Sequence, residues 1–306
     1  MTYQTFEEEV ISRVTNILPD DYKVHIKPVS KNNGIVLHGL IINNGHSNIS
    51  PTIYLDYYYD EYKDGSTIEE LTEEIMTQYE RFALEADFDI SVFTDFEKCK
   101  PNISYKLINF EKNKKLLNDV PHIIYLDLAI VFYCLLNSEQ LETSSILIRN
   151  SHMKLWDVSV NDLFDIASTN TPKLLKYELR NLTDIIGDMV KMCRDNDTCK
   201  EAELCYEDLQ LEQSPMYILT NKLKLYGACC ILYKNLLEEF ADKVGSDIYI
   251  IPSSVHEVLL VPESDAYNGE YLTELVQEVN TTQLSPDEVL SDHVYRYCRA
   301  EDAITY

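Results

Sequence analysis

The chain has 306 residues, enough for two domains or three small ones, and its 45% apolar content excludes wholesale disorder. Lys and Arg number 26 against 52 Asp and Glu, and the resulting net charge of −26 argues against general affinity for nucleic-acid phosphates or anionic lipid. Only 8 glycines are present, so repeated glycine-rich phosphate loops are excluded as an organising theme.

In chain order, the first element reads as a helix. Thr5 and Glu8 have capping-box spacing, and Phe6, Val10, Val14 and Ile17 follow on one face before Pro19-Asp20-Asp21 stops it. Three short extended runs come next, Tyr22–Pro28, Ile35–Ile42 and Ile49–Asp56, separated by turns at Lys31–Gly34 and Asn43–Gly45. A second helix opens at Thr67 and Glu70. Ile68, Leu71, Ile75, Tyr79 and Phe82 form its apolar stripe, and Glu69, Glu70, Glu73, Glu74 and Glu80 face away.

The middle third is nearly neutral. Residues 101–200 carry 13 acids and 12 bases, between blocks of net −11 and −14. Lys98, Lys100, Lys106, Lys112, Lys114 and Lys115 cluster around its start, and read either as a docking patch or as a solvated strand edge. A strand is expected near Ile103–Phe110, a strand or strand pair within Ile123–Leu136, and another strand near Ser145–Arg149. Ser159 and Asp162 open a helix, Leu182–Met192 is a second, and the polar text from Cys193 to Ser214 is a helix fragment or linker.

The last block predicts strands at Met216–Thr220 and Ala228–Tyr233, a helix at Asn235–Val244, and strands at Asp247–Ile251 and Val255–Val261. Leu272, Leu275, Val276 and Val279 mark another helix, Ser285-Pro286-Asp287-Glu288 the start of a further one, and His293–Cys298 a terminal strand. The fold class is therefore α+β, with antiparallel or mixed sheets and helices packed on one side. Three modules are expected: 1–97 (α-β-β-β-α), 98–212 (α+β, ending in the polar linker) and 213–306 (ββαββα).

The stretches PMYILTNKLKLYGACCILY, DIYIIPSSVHEVLLVP and LSPDEVLSDHVYRYCR resemble a bacterial family catalogued as domain of unknown function 5688. KNNGIVLHGL, SPTIYLDYYYDEYKDG, LDLAIVFYCLL and ILIRNSHMKLW resemble it too, so the likeness spans nearly the whole chain. The resemblance implies a protein of anaerobic Gram-positive bacteria, often in mobile-element settings. It carries over no activity and no site residues.

The first ten residues, MTYQTFEEEV, lack a secretory leader pattern. The longest apolar run holds about 14 residues with Asp127 inside, short of the roughly 20 a membrane span needs. A cytoplasmic, membrane-free protein is expected. Cys193, Cys199 and Cys205 are spaced six apart with no nearby His, so no metal site and no cofactor are expected.

Four groups of residues are weighed for chemistry. Ser254 and His256 share a face of an expected strand, and with Ser253 and Asn221 they outline a polar pocket or a set of turn-capping groups. The HExxH reading of His256-Glu257 fails because Leu260 stands four residues on, and no G-x-S-x-G exists. Asp127 lies in the most apolar run, where desolvation would penalise its charge unless a donor or cation met it. Trp156 is either a ligand-stacking ring or a core anchor. Tyr57, Tyr58 and Tyr59, set among acids, suit a protein interface or the wet end of a strand.

The leading functional expectation is a non-catalytic interaction or regulatory protein with a protein partner and no direct nucleic-acid binding. The alternatives are an acidic DNA mimic that antagonises a nucleic-acid-binding protein, and a hydrolase using the Ser254/His256 neighbourhood with Asp127 as a further catalytic candidate.

Overall fold

The computed structural model describes residues 1–83, 89, 91–136, 144–192, 216–252, 254–264 and 269–306; of residues 92–93 and 189–192 it describes the backbone alone. The α+β class expected from the sequence is what it shows, with three antiparallel sheets among the described residues. Two compact units emerge, one built on Met1–Lys98 and the other on Cys99–Leu135 and Ser145–Tyr306. No helix among the described residues is long and apolar enough to cross a membrane.

In the first unit, helix α1 (Tyr3–Ile17) is capped by Thr2, whose hydroxyl accepts the Thr5 N–H. The cap therefore lies three residues before the expected one. Strands β1 (Lys23–Ser30), β2 (Val36–Asn43) and β3 (Thr52–Tyr54) form a sheet in sequence order. Chain expected to continue as strand through Asp56 turns instead into helix α2 (Leu55–Lys63). Leu55, Tyr58, Tyr59 and Tyr62 recur every three or four residues, so the helix lays one face on a core of Phe6, Leu40 and Ile53. Helix α3 (Ile68–Phe82) follows the Thr67–Glu70 capping box, both halves of which are made. Its Ile68, Leu71, Ile75, Met76 and Tyr79 join the same core. Two helical turns follow in the chain, α4 (Ser91–Thr94) and α5 (Phe96–Cys99).

The second unit is organised by strand β6 (Leu128–Leu135), all eight residues of which are buried. It pairs with β4 (Ile103–Asn109) on one edge. The other edge is shared by β5 (His122–Tyr125) and β7 (Ser145–Leu147). β5 and β6 are the pair hidden in the longest apolar run; they reverse through Leu126, which takes a left-handed φ of 55° without glycine. Helix α6 (Lys114–Leu117) lies between β4 and β5. Helix α7 (Asn150–Trp156) leads to α8 (Val160–Leu174), which opens on a complete Ser159–Asp162 capping box and packs against β4.

The third sheet has the order β13-β12-β10-β11-β9-β8. Its strands are β8 (Tyr177–Asn181), β9 (Tyr217–Asn221), β10 (Ile248–Ile251), β11 (Val258–Pro262), β12 (Tyr295–Cys298) and β13 (Ala303–Thr305). Helices α9 (Leu182–Met192), α10 (Leu236–Val244) and α11 (Gly269–Thr282) also belong to this unit.

Two local expectations are corrected. The run Ala228–Tyr233 is not a strand; Gly227–Leu232 forms a short 3-10 helix. Five of its six residues are buried, and an apolar run that short reads the same for strand and buried helix. Ser285-Pro286 opens no helix. The Ser285 carbonyl accepts the Glu288 N–H at 2.9 Å, and the Glu288 carbonyl is held by the Val255 N–H at 2.9 Å, which keeps the chain as a turn. The Cys193–Ser214 segment lies outside the described residues.

Gly227 marks the tightest backbone approach in this unit. A Cβ there would press on Thr220 Oγ1 and sit 2.5 Å from the His256 carbonyl oxygen and 2.8 Å from the Asn221 nitrogen. Two of these neighbours are main-chain atoms and cannot rotate away. Gly227→Ala is expected to lower the unfolding free energy by roughly 1–3 kcal/mol in urea denaturation, and an unchanged midpoint would contradict this packing.

Candidate functional site

Asp127 sits at the β5–β6 reversal, half-buried. Its Oδ2 accepts the Ser291 hydroxyl at 2.6 Å and its Oδ1 accepts the Tyr295 hydroxyl at 2.7 Å. Ser291 and Tyr295 are themselves fully buried. Burial, and then the Asp127 charge, push the Tyr295 phenol well above its usual range, so it stays a donor. The neighbouring ties run the same way. Asn109 Nδ2 donates to the Leu290 carbonyl at 3.0 Å, and Asn280 Nδ2 donates to the Ser291 carbonyl and to Asp292 Oδ1, each at 2.8 Å.

Ser254 and His256 lie in the turn before β11, which starts at Val258 rather than at Val255 as expected. Ser254 Oγ accepts the main-chain N–H of His256 at 3.0 Å. The hydroxyl thus binds the histidine backbone, whereas a Ser–His relay needs it on the ring. The imidazole stacks on Tyr226 at 5.7 Å and 16°, its Nδ1 beside the Tyr226 N–H and the Lys224 carbonyl. Lys106 Nζ lies 3.9 Å from the centre of the Tyr226 ring, a cation–π contact. Asn221 is fully buried; its Oδ1 accepts the N–H groups of Leu223 and Leu225, and its Nδ2 donates to the Leu225 carbonyl at 2.7 Å. Ser253 lies outside the described residues.

Trp156 ends α7 and is buried, stacked on His152 at 5.5 Å and 25°. Burial, aided by the nearby Arg149 charge, holds the His152 imidazole below its usual range. Asp127, Trp156 and His256 therefore have three different sets of partners. The tyrosine run also divides. Tyr58 is in the N-terminal core, Tyr59 packs on Tyr3, Phe6 and Tyr62, and Tyr57 is 50% exposed. Of the lysines in the middle block, Lys112 meets the distant Asp292 at 3.3 Å and Lys114 meets Glu111 at 2.7 Å.

Two groupings escaped the sequence reading. In the first unit His38 Nδ1 lies 2.5 Å from Glu7 Oε1, and the His38 N–H donates to Asp56 Oδ2 at 2.7 Å, tying α1 and α2 to β2. In the second unit a cavity of about 230 Å³ is lined by Tyr125, Ile231 to Tyr233, Asn235, Leu237, Glu238, Tyr297, Asp302 and Ile304. The Tyr297 hydroxyl donates to Asp302 Oδ1 at 2.7 Å. Burial, then Asp302, raise the Tyr297 phenol, and burial raises that of Tyr125. The lining comes from segments up to 179 positions apart (304 − 125), so no local spacing could reveal it. It offers carboxylates and protonated phenols, and no imidazole or thiol. Among the described residues, no group of three or more His, Cys, Asp or Glu side chains is placed to hold a metal ion.

Asp127→Ala would leave two buried hydroxyls without their acceptor. A loss of about 2–4 kcal/mol is expected in chemical denaturation, and a loss within error of zero would show that the tie is dispensable. His152 supplies a pH test. Its folded-state pKa is depressed, so its contribution to stability is complete above about pH 6.5 and is lost as pH falls through the lower folded value. Stability measured from pH 8 to 5 should fall on the acid side, and His152→Gln should flatten that slope.

A family model described as a family of unknown function (DUF5688) matches residues 3–299. The comparisons with curated proteins and with solved structures return no match.

Proposed function

We propose that this chain, which belongs to the DUF5688 family, works by binding, as a non-catalytic interaction protein of the cytoplasm. The observation that supports this most is the state of the side chains best suited to chemistry. Both oxygens of Asp127 are taken by buried hydroxyls, and Ser254 is held by the His256 main chain. A general base must instead reach a substrate proton, and a nucleophilic serine must reach its base. The cavity near Tyr297 adds two phenols whose raised pKa unsuits them to act as bases near neutral pH.

A net charge of −26 suits a partner that presents a basic face, with long-range attraction that speeds encounter. The test is to capture a partner on the full chain, purify it, and titrate it back. Saturable binding that weakens as salt rises from about 50 to 300 mM, and that survives Ser254→Ala and His256→Gln, is expected. Multiple-turnover consumption of any substrate, abolished by either substitution, would contradict the reading.

A further inference from the structure

The cavity beside Tyr297 has a chemistry of its own. Its carboxylates are Glu238, in the first turn of α10, and Asp302, at the β12–β13 reversal. Among the described residues neither is paired with a Lys, Arg or His side chain, whereas the neighbouring Asp242 is met by Arg299 at 2.7 Å. One oxygen of Asp302 is held by the Tyr297 hydroxyl, which fixes the carboxylate and leaves its second oxygen for another donor. Tyr125 and Tyr297 supply aromatic surface, and Leu237 and Ile304 supply apolar surface.

Each feature narrows the occupant. Two carboxylates beside aromatic rings favour a cation. A calcium ion wants six to eight oxygens, more than this lining converges. A guanidinium is best met by a carboxylate with both oxygens open, and Asp302 has one already bonded; an ammonium needs only point contacts. About 230 Å³ is below the roughly 300–1,000 Å³ of drug-sized pockets. It suits a short methylene chain, whose carbons can lie on the apolar wall while the charged head meets the acids.

We infer that this cavity binds an alkylammonium group, either the end of a partner's lysine side chain or a free aliphatic amine. The inference rests on the reading of the protein as a binding module, and gives that module a recognition element. Glu238 and Asp302 hold the ammonium, and the Tyr125 and Tyr297 rings flank it. Both carboxylates are solvent-exposed, so the affinity is weak and screened by salt.

The experiment is a methyl-resolved NMR titration of the full chain, read at Leu237 and Ile304. The probes are n-butylamine, Nα-acetyl-lysine N-methylamide, and the same lysine compound acetylated at Nε. The two amines should give saturable shifts at these methyls, and Nε-acetylation should weaken binding at least fivefold. Tighter binding of the lysine compound assigns the site to a partner's lysine; tighter binding of butylamine assigns it to a free amine. Glu238→Gln and Asp302→Asn should each weaken the amines about three- to fivefold, and asparagine tolerates the left-handed backbone at Asp302, where φ is 47°. Unsaturable shifts, equal binding of the acetylated compound, or full affinity in both folded variants would overturn the inference. If those results came while a captured partner still bound saturably, the binding role would stand and only this site would fall.

Discussion

A strand with water on neither face leaves its polar margins to be satisfied by protein. β6 imposes that condition on the second unit, since every residue from Leu128 to Leu135 is buried. Its apolar packing is ordinary: Ala129 and Val131 lie with Ile108, Leu117 and Val120, and Leu135 lies with Leu175. The demanding part is its entry, where a carboxylate directly precedes the buried run. A polar group at such a margin needs hydrogen-bond partners, and the Ser291 and Tyr295 hydroxyls donate to Asp127.

That requirement binds together segments far apart in the chain. Residues 109–127 reach residues 290–295 through Asn109, Lys112 and Asp127 on one side and Leu290, Ser291, Asp292 and Tyr295 on the other, and Asn280 braces the latter segment at Ser291 and Asp292. The same logic governs Asn221, whose amide serves three main-chain partners in one tight loop, and Thr220, whose hydroxyl donates to the His256 carbonyl at 2.8 Å. Polar side chains that look reactive in the text are thus committed to the architecture.

Much of the local structure was legible because its causes are local. The Thr67–Glu70 and Ser159–Asp162 boxes set their helices in place, and the 3.6-residue stripe of α3 buries as its pattern requires. Helix α2 was misread because Tyr54 offers no capping side chain and tyrosine favours strands. The β5–β6 reversal carries no glycine, so it could not be told from a continuous strand. Ser254 and Asn221 each bond the main chain of their own turn, the second of the two readings offered for them, but the approach of the two turns depends on Gly227 meeting main-chain atoms up to 29 residues away (256 − 227), which no local pattern signals. For Asp127 the sequence poses the question of a donor but cannot name one, because its hydroxyl donors lie 164 and 168 positions on.

The claim that Asp127 serves the fold through Tyr295 is tested most directly by a double-mutant cycle in chemical denaturation, using Asp127→Ala, Tyr295→Phe and the pair. Residues joined in one buried hydrogen-bond network should show a coupling energy of about 1–3 kcal/mol. Losses that simply add, with no coupling beyond error, would mean the two groups act independently and that Asp127 is left free for some other task.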